Sequence, residues 1–190
     1  MKKQILLGLL GLLIIGLAGL VWKGVKNDAA DTDYDNTFTL TAEPIKTIYI
    51  DGLEQPATIL VKETEASQTT VRVQGQIAQS NITNLEEQFG MDKDGDLFIS
   101  FSKEGLSMTV MRDKPSVTIE IALAKGTSFE DFSLFTSNGQ LDVTLPSSFD
   151  GHFTVKSKSG QVNQPKNGEN SDREAKIESQ KGDVTVTLED

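Results

Sequence analysis

Along most of this chain apolar and polar residues alternate, the two-residue period of strands with one buried face. The clearest stretches are Ile119, Ile121 and Leu123; Leu141, Val143 and Leu145; and Val184, Val186 and Leu188. Aligning the chain on Gly139, Gly160 and Gly182 gives spacings of 21 and 22 residues. Seven residues before these glycines stand Phe132, Phe153 and Ala175, and five before stand Leu134, Val155 and Ile177. Thr136, Ser157 and Ser179 come three before; Leu141, Val162 and Val184 come two after. Each unit therefore reads as strand, glycine turn, strand, because glycine suits a turn or bulge. Ile119, Ile121 and Leu123 lie 22 residues ahead of Leu141, Val143 and Leu145, and both sets run on to phenylalanine pairs (Phe129 and Phe132, then Phe149 and Phe153). Gly95 with Leu97, Ile99 and Phe101 matches only the second half of a unit.

A period of 20–22 residues with two strands per unit predicts an all-β fold of stacked coils, a β-solenoid or β-roll. The alternative is a sandwich of hairpins of similar length. Upstream, IKTIYI (Ile45–Ile50), TILV (Thr58–Val61) and TVRV (Thr70–Val73) read as strands, and Asn84–Phe89 as a short helix or loop. LSMTVM (Leu106–Met111) is expected to pair with Leu97–Phe101 through a turn at Gly105.

The amino terminus breaks this pattern. Ile5 to Trp22 is an 18-residue run with no charge. As a helix it would span about 27 Å, close to the thickness of a bilayer's hydrocarbon core. Lys2 and Lys3 favour a cytoplasmic amino terminus, and weak cleavage signals favour a retained anchor over a cleaved signal peptide. NDAADTDYDN (Asn27–Asn36), with four aspartates, reads as a solvated spacer. The expected organisation is a cytoplasmic tip and single transmembrane signal anchor over 1–26, an acidic linker over 27–36, and an extracytoplasmic all-β repeat domain over 37–190.

Charge narrows the partners. Four lysines fall within the first 26 residues, leaving 14 basic against 28 acidic residues in 27–190, a net of −14. That balance argues against nucleic acid and against an anionic lipid surface. The absence of cysteine excludes thiol catalysis, disulfides and thiolate metal sites.

The units TSNGQLDVT, KSKSGQVNQ and SQKGDVTVT, behind a short lysine-led membrane segment, resemble the bacterial DUF4097 family of adhesin-like proteins with β-strand repeats, which includes LiaG-like membrane-anchored proteins. The resemblance covers roughly Ile45 to Asp190. It implies a β-helix or β-roll domain on the outer face of the membrane and brings no catalytic motif. Gln164, in place of an apolar residue, and the connection NQPKNGENS (Asn163–Ser171) depart from the pattern.

Chemistry-bearing positions are few. MDKDGD (Met91–Asp96) suggests a calcium loop. Its glycine is fourth rather than sixth, and Lys103 stands where the bidentate glutamate belongs, so Asp94-Gly95 reads as a hairpin turn. Glu120 and Asp142 hold equivalent outward positions in successive units. Stacked coils would bring them close enough to share a proton, bind a cation or act on a glycosidic bond. Lys156, Lys158 and Lys176 are candidate contacts for an anionic wall polymer. Val184, Val186 and Leu188, in the last strand, are a candidate docking edge for a partner strand. His152 precedes an inward phenylalanine and faces solvent.

No cofactor, metal site or catalytic residue is expected. The favoured reading is a non-catalytic, membrane-anchored binding or regulatory module of the bacterial envelope, whose partner is another envelope protein or a wall polymer. The alternatives are a passive or self-associating scaffold or adhesin, and a β-helix carbohydrate-active enzyme centred on Glu120 and Asp142.

Overall fold

The structure, a computed structural model, describes residues 30–40, 43–102, 114–170 and 172–189. The expected transmembrane run lies outside these residues. Among those described, no helix is long and apolar enough to cross a membrane.

Two mixed sheets face each other across one core. In chain order the strands are β1 (Thr32–Leu40), β2 (Thr47–Leu53), β3 (Ala57–Glu63), β4 (Thr69–Ile77), β5 (Gly90–Met91), β6 (Asp96–Ser100) and β7 (Val117–Leu123). They continue as β8 (Asp131–Thr136), β9 (Leu141–Leu145), β10 (His152–Ser157), β11 (Val162–Asn163), β12 (Glu174–Ser179) and β13 (Val184–Leu188). The helix α1 (Gln79–Gln88) follows β4. One sheet has seven strands in the order β1-β4-β7-β3-β9-β13-β11; the other has six, β10-β12-β8-β2-β6-β5. Among the described residues, antiparallel pairing is confined to β1–β4, β4–β7 and β5–β6.

The expected unit exists, but the expected β-solenoid does not. In a solenoid, consecutive units are neighbours. Here the last unit is inserted between the two before it: β12 pairs with both β8 and β10, and β13 lies between β9 and β11. Likewise β2 separates β8 from β6, and β3 separates β9 from β7. A sequence period specifies which residues are equivalent, and equivalent residues stack in any order. The connections permit the reordering. The connection that skips a level, residues 146–151 between β9 and β10, numbers six and can reach up to about 21 Å, more than the roughly 14 Å set by two strand spacings and the gap between the sheets.

The register nevertheless follows the glycine alignment. Phe132, Ala175 and Phe153 face one another across β8, β12 and β10, as do Leu134, Ile177 and Val155. Leu141, Val184 and Val162 do so across the other sheet. The turns nest in the same order. A Cβ on Gly160 would overlap the carbonyl of Gly182, one on Gly182 that of Gly139, and one on Gly139 the backbone of Gln55 and Pro56. Gly139 and Gly182 also have φ of 118° and 120°, which an L side chain rarely adopts. Backbone bonds tie the nested turns together: Gly182 N–H donates to Ser159 O (3.1 Å), Gly139 N–H to Lys181 O (2.9 Å) and Ala57 N–H to Gln140 O (2.9 Å).

The inward residues form one core. Ile48, Ile59, Leu97, Ile119, Phe132, Leu141 and Ile177 are all fully buried. At one corner Phe149 stacks on Phe129 (5.5 Å) and meets Phe153 edge-on (5.5 Å). Arg173 lies 4.7 Å over the Phe149 ring, pairs with Asp150 (3.0 Å) and donates to Phe129 O (2.7 Å). The opposite end is closed by α1, which buries Ile82 and Leu85, and by Phe89 stacked on Phe38 of β1 at 4.1 Å.

Several local expectations change. Residues 32–36, expected in the linker, form the first half of β1. Its aspartates occupy the exposed positions of an alternating strand whose Tyr34 and Phe38 pack on the core. The helix begins at Gln79, ahead of the expected Asn84. Asp94-Gly95 does turn β5 into β6, with Asp92 Oδ1 accepting from Asp94 N–H (2.9 Å) and Asp96 N–H (3.0 Å). The expected partner of that region, Leu106–Met111, lies outside the described residues. The irregular connection after β11 covers an edge: Asn167 Oδ1 accepts from Phe153 N–H (2.9 Å), and Gln164 Nε2 donates to Phe153 O (3.4 Å). This is a recognised way to protect an outer strand from wrong pairing.

The nested turns yield a prediction. Gly182→Ala should destabilise the protein by about 2–4 kcal/mol, from backbone strain plus a clash with a neighbouring turn. Gly90→Ala, with nothing near its added Cβ, should change stability by less than about 0.5 kcal/mol. Urea unfolding followed by circular dichroism compares the two.

Candidate functional site

The outward faces of the two sheets differ. On the seven-stranded sheet charged side chains form a ladder. Arg72 of β4 binds Asp35 of β1 through two hydrogen bonds (Nε–Oδ1 2.8 Å, Nη2–Oδ2 2.7 Å). Arg72 stands in register with Glu120 of β7, which binds Lys62 of β3 at 2.6 Å. The guanidinium hydrogen bonds hold the Asp35 carboxyl below the usual carboxylate range.

This ladder separates the expected carboxylate pair. Strand β3 lies between Glu120 and Asp142: Glu120 faces Leu60, and Asp142 faces Thr58. Two strand spacings put them roughly 10 Å apart across the sheet, beyond the about 5–5.5 Å that a retaining glycosidase needs. Asp142 instead accepts from Gln140 Nε2 at 3.0 Å. Units adjacent in the sequence are not adjacent strands in this sheet, whose order is β7-β3-β9.

The expected docking edge is covered in part: β11 pairs with β13 at Val184 and Thr185. Val184 and Val186 are buried at 1% and 2% exposure, and β13 is flanked by β9 and β11. Only Leu188 stays partly exposed. The sheets end instead at β10 and β11, where Val162 is 42% exposed.

On the six-stranded sheet the outward positions carry aromatics. Tyr49 of β2, Phe98 of β6 and Phe135 of β8 are 37%, 36% and 42% exposed. Tyr49 stands in register with Phe98 on one side and Ser133 on the other. The Tyr49 and Phe98 rings are stacked, with centroids 5.2 Å apart and planes at 8°. Phe135 lies one outward position further along β8. No residue of β2 stands in register with it, because β2 carries an extra residue between Ile50 and Leu53. Gly52 (φ 71°) makes that bulge, a device that re-aims or frees a neighbouring side chain.

Two of the three candidate lysines join this face. Lys176 of β12 is in register with Ser133, next to Tyr49's position, and Lys156 of β10 is opposite Glu178. They form no cationic cluster. Lys176 sits 3.7 Å from Glu178, and Lys158 lies beyond the end of β10, exposed. His152, at the start of β10, is exposed. Among the described residues no three acidic or histidine side chains are placed to hold a metal ion.

The aromatics had a visible sign in the sequence. Each follows or divides inward aliphatic residues (Ile48-Tyr49-Ile50, Leu97-Phe98-Ile99, Leu134-Phe135), so alternation puts it on the outer, normally polar face. That the three meet depends on the order β8-β2-β6, which the period does not contain.

No family model matches the chain, and no curated protein matches it significantly. Among solved structures it is similar to a crystal structure described as a putative cell adhesion protein from Clostridium sporogenes. The match has 11% sequence identity and a TM-score of 0.40, and covers 83% of this chain and 100% of that one. A likeness of that size carries no argument about this chain's site. The class is defined by the chain's own fold: a mostly-β domain of two mixed, largely parallel sheets with an aromatic strip on one outer face.

The charge ladder predicts a pH dependence. Because the folded Asp35 pKa is depressed, its pairing with Arg72 stabilises the fold above the unfolded carboxylate pKa, about 3.9. That contribution is lost as pH falls through the lower folded value. In Arg72→Met the Asp35 carboxyl resonance should titrate nearer the ordinary range by NMR, and the stability gap to the parent should narrow below about pH 3.5.

Proposed function

We propose that this chain is a non-catalytic binding module of the bacterial cell envelope, related to the DUF4097 adhesin-like proteins and held outside the membrane by its apolar amino-terminal run. Its contact surface is the outer face of the six-stranded sheet. The observation that carries this reading is the strip of Tyr49, Phe98 and Phe135, exposed on a rigid sheet at positions where alternation otherwise places polar groups. Aromatic side chains combine large apolar area with little rotamer freedom and dominate binding surfaces. The repeat units TSNGQLDVT, KSKSGQVNQ and SQKGDVTVT support the family reading, and the run Ile5–Trp22 supports the anchor.

The test is cosedimentation of the full-length protein, in detergent, with isolated envelope fragments from its own cells. Replacing Tyr49 and Phe135 together by serine should lower the bound fraction about tenfold, the loss of roughly 1.4 kcal/mol. Thr58→Ala, outward on the other sheet, should leave it unchanged. Equal binding by parent and double variant refutes the face as the contact surface. Protease added outside intact cells should digest the β domain; full protection contradicts the extracytoplasmic placement.

A further inference from the structure

Resting on that reading of the outer face, we infer that its ligand is an uncharged polysaccharide, one of whose sugar rings packs against the free face of Tyr49. The first reason is geometric. The Tyr49 and Phe98 rings are nearly parallel, and their 5.2 Å separation is close to one strand spacing. The stack therefore runs across the strands. Phe98 covers one face of Tyr49, and the other face turns toward Ser133, a short side chain in register with it. The next residue in that row is Lys176, two strand spacings or roughly 10 Å from Tyr49. Between them the row drops to the short Ser133 side chain, with an aromatic ring on one side, a hydroxyl in the middle and an ammonium on the other. Glu178, 3.7 Å from Lys176, and Phe135, in register with Glu178, border this row.

The second reason is chemical. A pyranose ring has an apolar C–H face and a rim of hydroxyls that both donate and accept. The aromatic ring suits the face. For the rim, the Glu178 carboxylate accepts, the Lys176 ammonium donates and the Ser133 hydroxyl does either.

The third reason is area. Aromatic side chains offer roughly 150–250 Å² each, so three rings about two-fifths exposed present roughly 200–300 Å². A stable protein interface needs about 800 Å² per partner. The strip is the size of a few sugar rings.

The fourth reason is charge. Lys176 is balanced by Glu178, Lys156 stands opposite the same glutamate, and Glu174 and Asp131 occupy the adjoining outward row. With a net of −14 over residues 27–190, the domain repels a polyanion. Two lysines against Glu178, Glu174, Asp131 and the outward Asp51 leave this face with no net positive charge, so the lysines act as hydrogen-bond donors rather than as an anion site.

The probes are colloidal chitin and microcrystalline cellulose, both uncharged, and pectate, a polyanion. The full-length protein in detergent should be retained on at least one neutral glycan, equally from about 0.05 to about 0.5 M NaCl, since little charge attraction is there to be screened. Tyr49→Ala should lower retention about tenfold with an unchanged circular dichroism spectrum, and Thr58→Ala should leave it intact. Binding only to pectate, abolished by salt, overturns the proposal, as does neutral-glycan binding that survives Tyr49→Ala. No retention on either neutral glycan, with Tyr49-dependent envelope binding preserved, overturns the ligand class and leaves the outer-face reading standing. If envelope binding also ignores Tyr49, both readings fall.

Discussion

Everything in this fold depends on how closely the glycine turns approach one another. Parallel strands stack at about 4.8 Å, so the turns that link the two sheets must stack at the same distance. At Gly160, Gly182 and Gly139 each turn presses against the backbone of the next, leaving no room for a side chain. This contact holds the strands of both sheets in one register. Phe132, Ala175 and Phe153 are thereby aligned across one sheet, and Leu141, Val184 and the exposed edge residue Val162 across the other. A side chain in any of these turns would push apart two strands in each sheet at once.

The same register sets the character of both outer faces. Where inward positions are held in line, outward positions are in line as well, and rows of side chains run across the strands. One row holds Arg72 beside Glu120, and these reach diagonally to Asp35 and Lys62 to form the charge ladder. Another becomes Phe98, Tyr49, Ser133 and Lys176. The first consumes its charges internally and presents a solvated surface. The second leaves aromatic area open, which costs solvation free energy on a face that alternation would otherwise make polar. The bulge at Gly52 belongs to this second face, since Asp51 and Gly52 together span the place opposite Phe135, and the exposed Asp51 carboxylate accepts from Ser100 Oγ of β6.

The two ends of the molecule are closed differently. At one, α1 and Phe89 on Phe38 cover the core with apolar packing. At the other, side-chain amides of Asn167 and Gln164 occupy the edge of β10, and Val162 stays exposed. The departure of NQPKNGENS from the repeat is thus explained. That segment carries the chain back one level to fill a gap, and it covers the edge as it goes.

The chain's own pattern determined the strands, the inward residues, the turn glycines and the equivalence of the units, because alternation and backbone conformation are local properties. Ile48, Ile59, Phe132 and Ile177 are buried as their positions in alternating strands require. The neighbours of each strand were decided only by the tertiary structure. Equivalent strands are interchangeable in a stack, and their order is settled by connection length and by the fit of particular side chains, such as Arg173 over Phe149. That choice put β3 between Glu120 and Asp142, buried Val184 and Val186, and brought Tyr49, Phe98 and Phe135 from three distant segments onto one face. Each of those outcomes is a contact between residues far apart in the chain, and a repeating pattern contains no information about which repeat lies beside which.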